Sequence, residues 1–148
     1  CELAIACDLI VAAESAKFGI PEVKRGLVAA AGGLVRLPSQ IPYRVAMELA
    51  LTGEFMDAER AMAMGLINHI TPQGDALATA KALAQRIAEN GPMAVKVSKA
   101  IIKASRDWSE DEAFEKQGGY TQPVFTSEDA IEGATAFAEK RKPEWKGR

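Results

Sequence analysis

The chain has 148 residues, 48% of them hydrophobic and 26% charged, with a formal net charge of −2. That length suits one ordinary domain with a sizeable core, and the balance is that of a globular protein, which excludes a disordered or low-complexity chain. A charge so near zero draws the chain to neither nucleic acid nor an anionic membrane, although local basic clusters can still bind phosphate. No apolar run approaches the roughly 20 residues of a membrane helix.

The opening Cys1-Glu2-Leu3-Ala4-Ile5-Ala6-Cys7-Asp8 carries two acids and no basic lead-in, unlike a signal peptide. It starts inside a motif and without Met, so a longer polypeptide is expected. Residues 2–7 are Ala-rich and read as helix. In a helix Cys1 and Cys7 are about 600° of rotation apart, face different directions and cannot pair. Both are expected in the core of a cytoplasmic protein. With one histidine and no CxxC, nothing supports a zinc site.

The run Leu9-Ile10-Val11-Ala12-Ala13 reads as a short buried strand and residues 16–20 as a second. Pro21 favours an extended preceding residue, which puts Glu22 in a loop or tight turn. Gly26 and the Gly32-Gly33 pair bracket an apolar stretch. Residues 44–51 form a helix closed by Gly53. Asp57 N-caps a helix over 58–64 with Gly65 just past its end, and residues 66–70 form a strand.

Helices follow. Leu77, Ala80, Ala84, Ile87 and Ala88 recur at helical spacing up to the stop at Asn90-Gly91-Pro92. Met93, Val97, Ile101 and Ala104 stripe the next helix. Ser109-Glu110-Asp111-Glu112 has the form of a capping box with Trp108 as its hydrophobic staple. Ser127, Glu128 and Asp129 open a last helix with a stripe of Ile131, Ala134, Phe137 and Ala138. Lys140, Arg141 and Lys142 suit its negative end, and Pro143 stops it.

Read without outside help, few residues carry chemistry. Glu2 is a carboxylate in an apolar stretch and reads as a helix-dipole partner. Glu22 reads as a solvated loop acid, and their spacing of 20 residues does not show that they meet. His69 fits a packed or edge position in a strand. Gly32-Gly33 can form an anion-binding nest or a site of close helix packing, the second being the commoner use.

Linked motifs add more. Cys1-Glu2-Leu3-Ala4 through Cys7-Asp8 resembles the segment that follows a glycine triplet in the crotonase superfamily, that is, the enoyl-CoA hydratases and isomerases. Ala16-Lys17-Phe18-Gly19-Ile20-Pro21-Glu22-Val23 is similar to a second family signature, and Gly26-Leu27, Gly32-Gly33 and Arg36-Leu37-Pro38 to a third. Leu51-Thr52-Gly53, Ala58-Glu59, Gly65-Leu66-Ile67-Asn68 and Phe137-Ala138-Glu139-Lys140-Arg141-Lys142-Pro143 continue the match in order along the whole chain. The wording is nearest to actinobacterial hydratases, including ones that act on bulky sterol side-chain acyl-CoAs.

The resemblance implies the α/β crotonase fold, a ClpP/crotonase-like ββα spiral, here as its second half plus the C-terminal helical trimerisation region. Residues 1–70 would carry the core with both catalytic glutamates, and residues 71–148 would serve oligomerisation and CoA contact. It implies syn hydration of a 2-enoyl-CoA to a 3-hydroxyacyl-CoA in fatty-acid or sterol side-chain β-oxidation. Glu2 would activate the water and Glu22 would supply the main proton. No metal or cofactor is implied, because CoA belongs to the substrate. The oxyanion-hole donors of the family lie before the position of Cys1. The Ala30 N–H stands where the family helps hold the water. Alanine replaces the usual glycine there, and Ala29 replaces a frequent proline. Leu34 and Val35, often polar in the family, read as a core change or as a greasier acyl pocket.

Phe137 and Lys140 match positions that touch the adenine and phosphate of CoA, with a dipole-complementing tail as the equal alternative. The implied partners are an acyl-CoA and other copies of the chain, as a homotrimer or homohexamer. Two other functions share the scaffold: an isomerase or other enolate-forming enzyme, and a silent acyl-CoA-binding homologue.

Overall fold

The apolar run after Asp8 becomes β1, Val11–Ala13, which pairs in parallel with β4, His69–Thr71, Val11 lying opposite His69 and Ala13 opposite Thr71. This computed structural model describes residues 1–148, which form two compact units, Cys1–Ala82 and Leu83–Arg148. In the first unit the strand pair is locked at both ends. Ile10 and Asn68 exchange two hydrogen bonds of 2.8 Å, and the Ser15 hydroxyl donates to Gln73. A parallel pair needs a long crossover. The intervening chain supplies it and includes β2, Lys17–Phe18, antiparallel to β3, Met56–Asp57.

Local punctuation sets the helices of this unit. The first, α1, is the short Gly33–Arg36. The next, α2, Tyr43–Thr52, ends at Gly53, whose φ of 63° lets its N–H reach Leu49 O. Asp57 caps α3, Ala58–Ala63, by accepting the Arg60 N–H at 2.8 Å, a contact worth about 1 kcal/mol. Gly65, at φ 77°, then turns the chain. Leu66 and Ile67 are buried in that turn, so the second strand starts at His69, later than the sequence predicts. The core gathers Ile5, Phe18, Ile20, Leu37, Leu49 and Met56.

Two expectations fail here. Residues 2–7 form only a 3-10 turn, Ala4–Ala6, and both cysteines are exposed and unpaired. Ile5 is the residue of that turn that enters the core. Glu22 sits in a tight helical turn, one of its two expected settings: Pro21 opens a 3-10 helix, Pro21–Arg25, with Glu22 in its first turn. Proline's fixed φ suits a first helical position, and Ile20 ahead of it, at φ −128° and ψ 75°, stays out of the helical region as the proline demands.

Helix α4, Ala76–Ala88, follows β4 and has no buried residue. The second unit holds α5, Pro92–Ala104; α6, Glu110–Phe125; and α7, Glu128–Glu139. The Met93, Val97, Ile101 and Ala104 stripe of α5 is half-buried as expected. The capping box before α6 is incomplete, because the Ser109 hydroxyl donates to the Glu112 carboxylate instead of accepting a backbone N–H. Trp108 packs on Tyr120 with ring centroids 5.8 Å apart. Ser127 does cap α7, accepting the Ala130 N–H at 3.0 Å.

The α7 stripe points the other way from expectation. Ile131, Ala134, Phe137 and Ala138 are exposed, while Asp129 and Ala136 are buried and Gly133 is half-buried. Residues 143–148 explain this, because they fold back as a strap over that small-residue face. Asp129 accepts the Lys146 and Gly147 N–H groups at 2.7 and 2.9 Å. Trp145 donates to Glu89 O at 2.8 Å and lies over Gly91 and Gly133, where an added Cβ would meet the indole at 3.6 and 3.3 Å.

Candidate active site

Glu2 is anchored from both sides in sequence and space. The following turn is closed by the Ile5 N–H on Cys1 O at 3.0 Å, and Gln40 Nε2 donates to Ile5 O at 2.8 Å. Ile5 itself is buried, which ties the Glu2 backbone to the core. The Glu2 side chain reaches Gly33, whose N–H donates to Oε1 at 2.7 Å at the first position of α1. A backbone N–H at a helix start is a natural partner for a carboxylate. Glycine gives room here: a Cβ would lie 3.0 Å from Glu2 Oε1 and 3.0 Å from Ile20 Cγ2, so either side chain would have to give way by a few tenths of an ångström. Gly33 thus joins Glu2 to Ile20, two residues before Glu22.

Glu22 belongs to the same unit, and its Oε2 is buried with no hydrogen-bond partner. Leaving such an oxygen unpaired costs about 1–3 kcal/mol, a cost that native proteins retain where a group has chemical work to do. No hydrogen bond links Glu2 and Glu22 directly. The corner between α2 and β3 holds the Glu22 helix in place. Glu54 pairs with Lys24 at 2.6 Å, Phe55 packs on Gly19, and Gly53 admits Val23 and Lys24 where a Cβ would come within 3.1 and 3.0 Å of them.

Ala30 lies exposed in the turn before Gly33, next to the buried Ala29. Leu34 and Val35 are exposed, Val35 at 79%, so they are not the core replacements that one reading made them. His69 is exposed on the edge of β4. No group of three His, Cys, Asp or Glu residues is placed to hold a metal ion, and no helix is long and apolar enough to cross a membrane.

In the second unit Phe137 is 88% exposed in the last turn of α7. Lys140 follows in the left-handed region, φ 54° and ψ 38°, at a backbone cost of about 1–2 kcal/mol for a residue with a Cβ. Arg141 meets Glu132 through two bonds of 2.6 and 3.0 Å. That pairing, with the Glu144 N–H, holds the Glu132 carboxyl down at about 2. The sequence shows the tail's positive charges, yet it gives no sign that Arg141 is committed to two carboxylates while Lys140 stays free of them.

The family model described as Enoyl-CoA hydratase/isomerase matches residues 1–148. The chain belongs to this family. A crystal structure of enoyl-CoA hydratase from Mycobacterium tuberculosis H37Rv is 59% identical, with a TM-score of 0.97 over 99% of this chain and 58% of that one. A probable enoyl-CoA hydratase/isomerase from Mycobacterium abscessus is 61% identical, with a TM-score of 0.94 over the same shares. The carnitinyl-CoA dehydratase of Salmonella typhi is 40% identical over 151 residues, 99% of this chain and 58% of that protein. This family member is therefore an α/β crotonase-fold chain, mostly helical, that spans a little over half the length of those relatives.

Proposed function

We propose that this chain carries the acid–base pair of an enoyl-CoA hydratase, with Glu2 activating the water and Glu22 protonating the α-carbon. The observation that carries the reading is the buried, unpartnered Oε2 of Glu22, on the segment that packs Ile20 against the Glu2–Gly33 contact. Glu2 has one oxygen committed to Gly33, which orients the carboxylate and leaves the other to accept a proton from water. Glu22 has a buried oxygen with an open hydrogen-bonding position, as a donor to carbon needs. Addition of water to a double bond conjugated to a thioester needs both transfers.

On this reading the Ala30 N–H helps hold the water, and the exposed Leu34 and Val35 face the acyl chain. Phe137 and Lys140 contact the adenine and phosphate of CoA. Residues 1–70 do the chemistry, and residues 71–148 serve CoA contact and assembly into a trimer or hexamer. The protein works in the cytoplasm, where exposed thiols stay reduced. A second reading, dehydration of a hydroxyacyl-CoA, is favoured by the 40% identity to carnitinyl-CoA dehydratases. It uses the same two groups with the proton movements reversed.

In the full-length protein Glu2→Gln and Glu22→Gln should each keep fold and CoA affinity while lowering kcat for hydration by about 10²–10⁴-fold. The double variant should lose much less than the product of the singles, because both groups act on one transition state. Near-normal hydration by either single variant sinks the hydratase reading, and a persisting double-bond shift in that variant identifies an isomerase. Binding of acyl-CoA without turnover by the unaltered protein identifies a silent homologue.

A further inference from the structure

Lys140 is the one non-glycine residue of the chain with a positive φ. Glycine is the relaxed occupant of a left-handed position after a helix. A lysine kept there holds its side chain against backbone strain, and such a turn persists only where its surroundings over-determine it. They do so here. The Arg141 N–H donates to Ala136 O at 3.0 Å and closes the turn. The Arg141 guanidinium grips Glu132 through two bonds, and its Nε donates to Glu139 at 2.6 Å. Glu132 also accepts the Glu144 N–H at 2.8 Å, which ties the start of the strap to the same carboxylate. Lys140 is thus flanked by two residues bound to each other, and its own ammonium forms no ion pair.

We propose that the Glu132–Arg141 pair is a positioning device for Lys140, fixing the backbone turn that presents its unpaired ammonium to the 3′-phosphate of a CoA thioester. This rests on the reading of Lys140 as a phosphate contact. Lysine is a flexible point charge, so a pre-set backbone frame reduces the freedom it loses on binding. Arg141, saturated by Glu132 and Glu139, is not itself the phosphate ligand. Glu132 and Arg141 act through Lys140 and touch no substrate.

The test compares KM for a 2-enoyl-CoA with KM for its 3′-dephospho analogue in the full-length protein. Lys140→Ala should raise KM for the CoA thioester about tenfold or more and leave the analogue unchanged, as expected for one lost charge-assisted contact. Glu132→Gln should raise KM for the CoA thioester severalfold, leave the analogue and kcat unchanged, and add nothing in the Lys140→Ala background. The direction is decisive, because removing a negative charge near a phosphate site would by itself tighten binding. Arg141→Lys, which keeps the charge but cannot form the fork, should reproduce the effect and guards against a Glu132 variant that fails to fold. If Lys140→Ala changes the ratio of the two KM values while Glu132→Gln and Arg141→Lys leave it at the wild-type value, the positioning role is overturned and the phosphate contact stands. A rise in both KM values with a fall in kcat overturns it equally, as general damage. An unchanged ratio in Lys140→Ala removes the phosphate reading itself.

Discussion

At the scale of single residues, Gly33 is the position on which the site turns. Any larger residue must push either the Glu2 carboxylate or the Ile20 side chain, both 3.0 Å from the added Cβ. Gly33→Ala should stay folded at an overpacking cost of about 1–3 kcal/mol. Its hydration rate should fall about 10²-fold, the scale of a small misplacement of a catalytic group. Gly65→Ala is the control: it bears the strain of φ 77° with open space around it and should lose stability without losing kcat. Equal rates for Gly33→Ala and the parent would remove Gly33 from the site. The sequence makes little of this legible. The paired glycines and the two acids are visible, but Glu2 and Gly33 lie 31 residues apart, and no local pattern joins them. Only the resemblance to a family singled out Glu2 and Glu22, since their surroundings by themselves read as helix-end and solvated acids.

At the scale of elements, the readable features are those fixed by neighbours in sequence. Asp57 as a cap, and Gly53 and Gly65 as stops, depend on one turn of chain and appear where expected. In α7 hydrophobicity points to the wrong buried face. Trp145 lies over Gly133, so that face of the helix turns inward and Ile131 and Phe137 turn out. The strap that causes this is held by charge. Arg141 keeps Glu132 at about 2, and Lys146 keeps Glu128 below its ordinary value of 4.5. Both carboxyls are depressed in the folded chain, so their contribution is complete above about pH 4.5 and is lost as pH falls through about 2 for Glu132. With Trp108 replaced by Phe, Trp145 fluorescence should therefore hold steady from pH 7 to about 4.5 and report exposure on further acidification. Release of the indole already above pH 5, or none by pH 2, would contradict the ion-pair origin of the strap's hold.

At the scale of the whole molecule, family and fold follow from motifs spread along all 148 residues, and the comparisons bear them out. The two-stranded pairings and the exposed Leu3, Leu27, Val28 and Val35 leave apolar surface of the kind that marks contact with other chain or with ligand. Relatives that are longer than this chain share its fold at TM-scores of 0.94 and 0.97, so the reaction is a property to test on the full-length protein. The central claim is that a carboxylate pair adds water to an enoyl thioester. The most direct measurement is turnover of a 2-enoyl-CoA in deuterium oxide, followed by mass and position of label in the product. The account predicts a 3-hydroxyacyl-CoA with one carbon-bound deuterium at C2, formed by the parent and strongly slowed in Glu22→Gln. A product that is only a shifted double bond, with no hydroxyl gained, would contradict it.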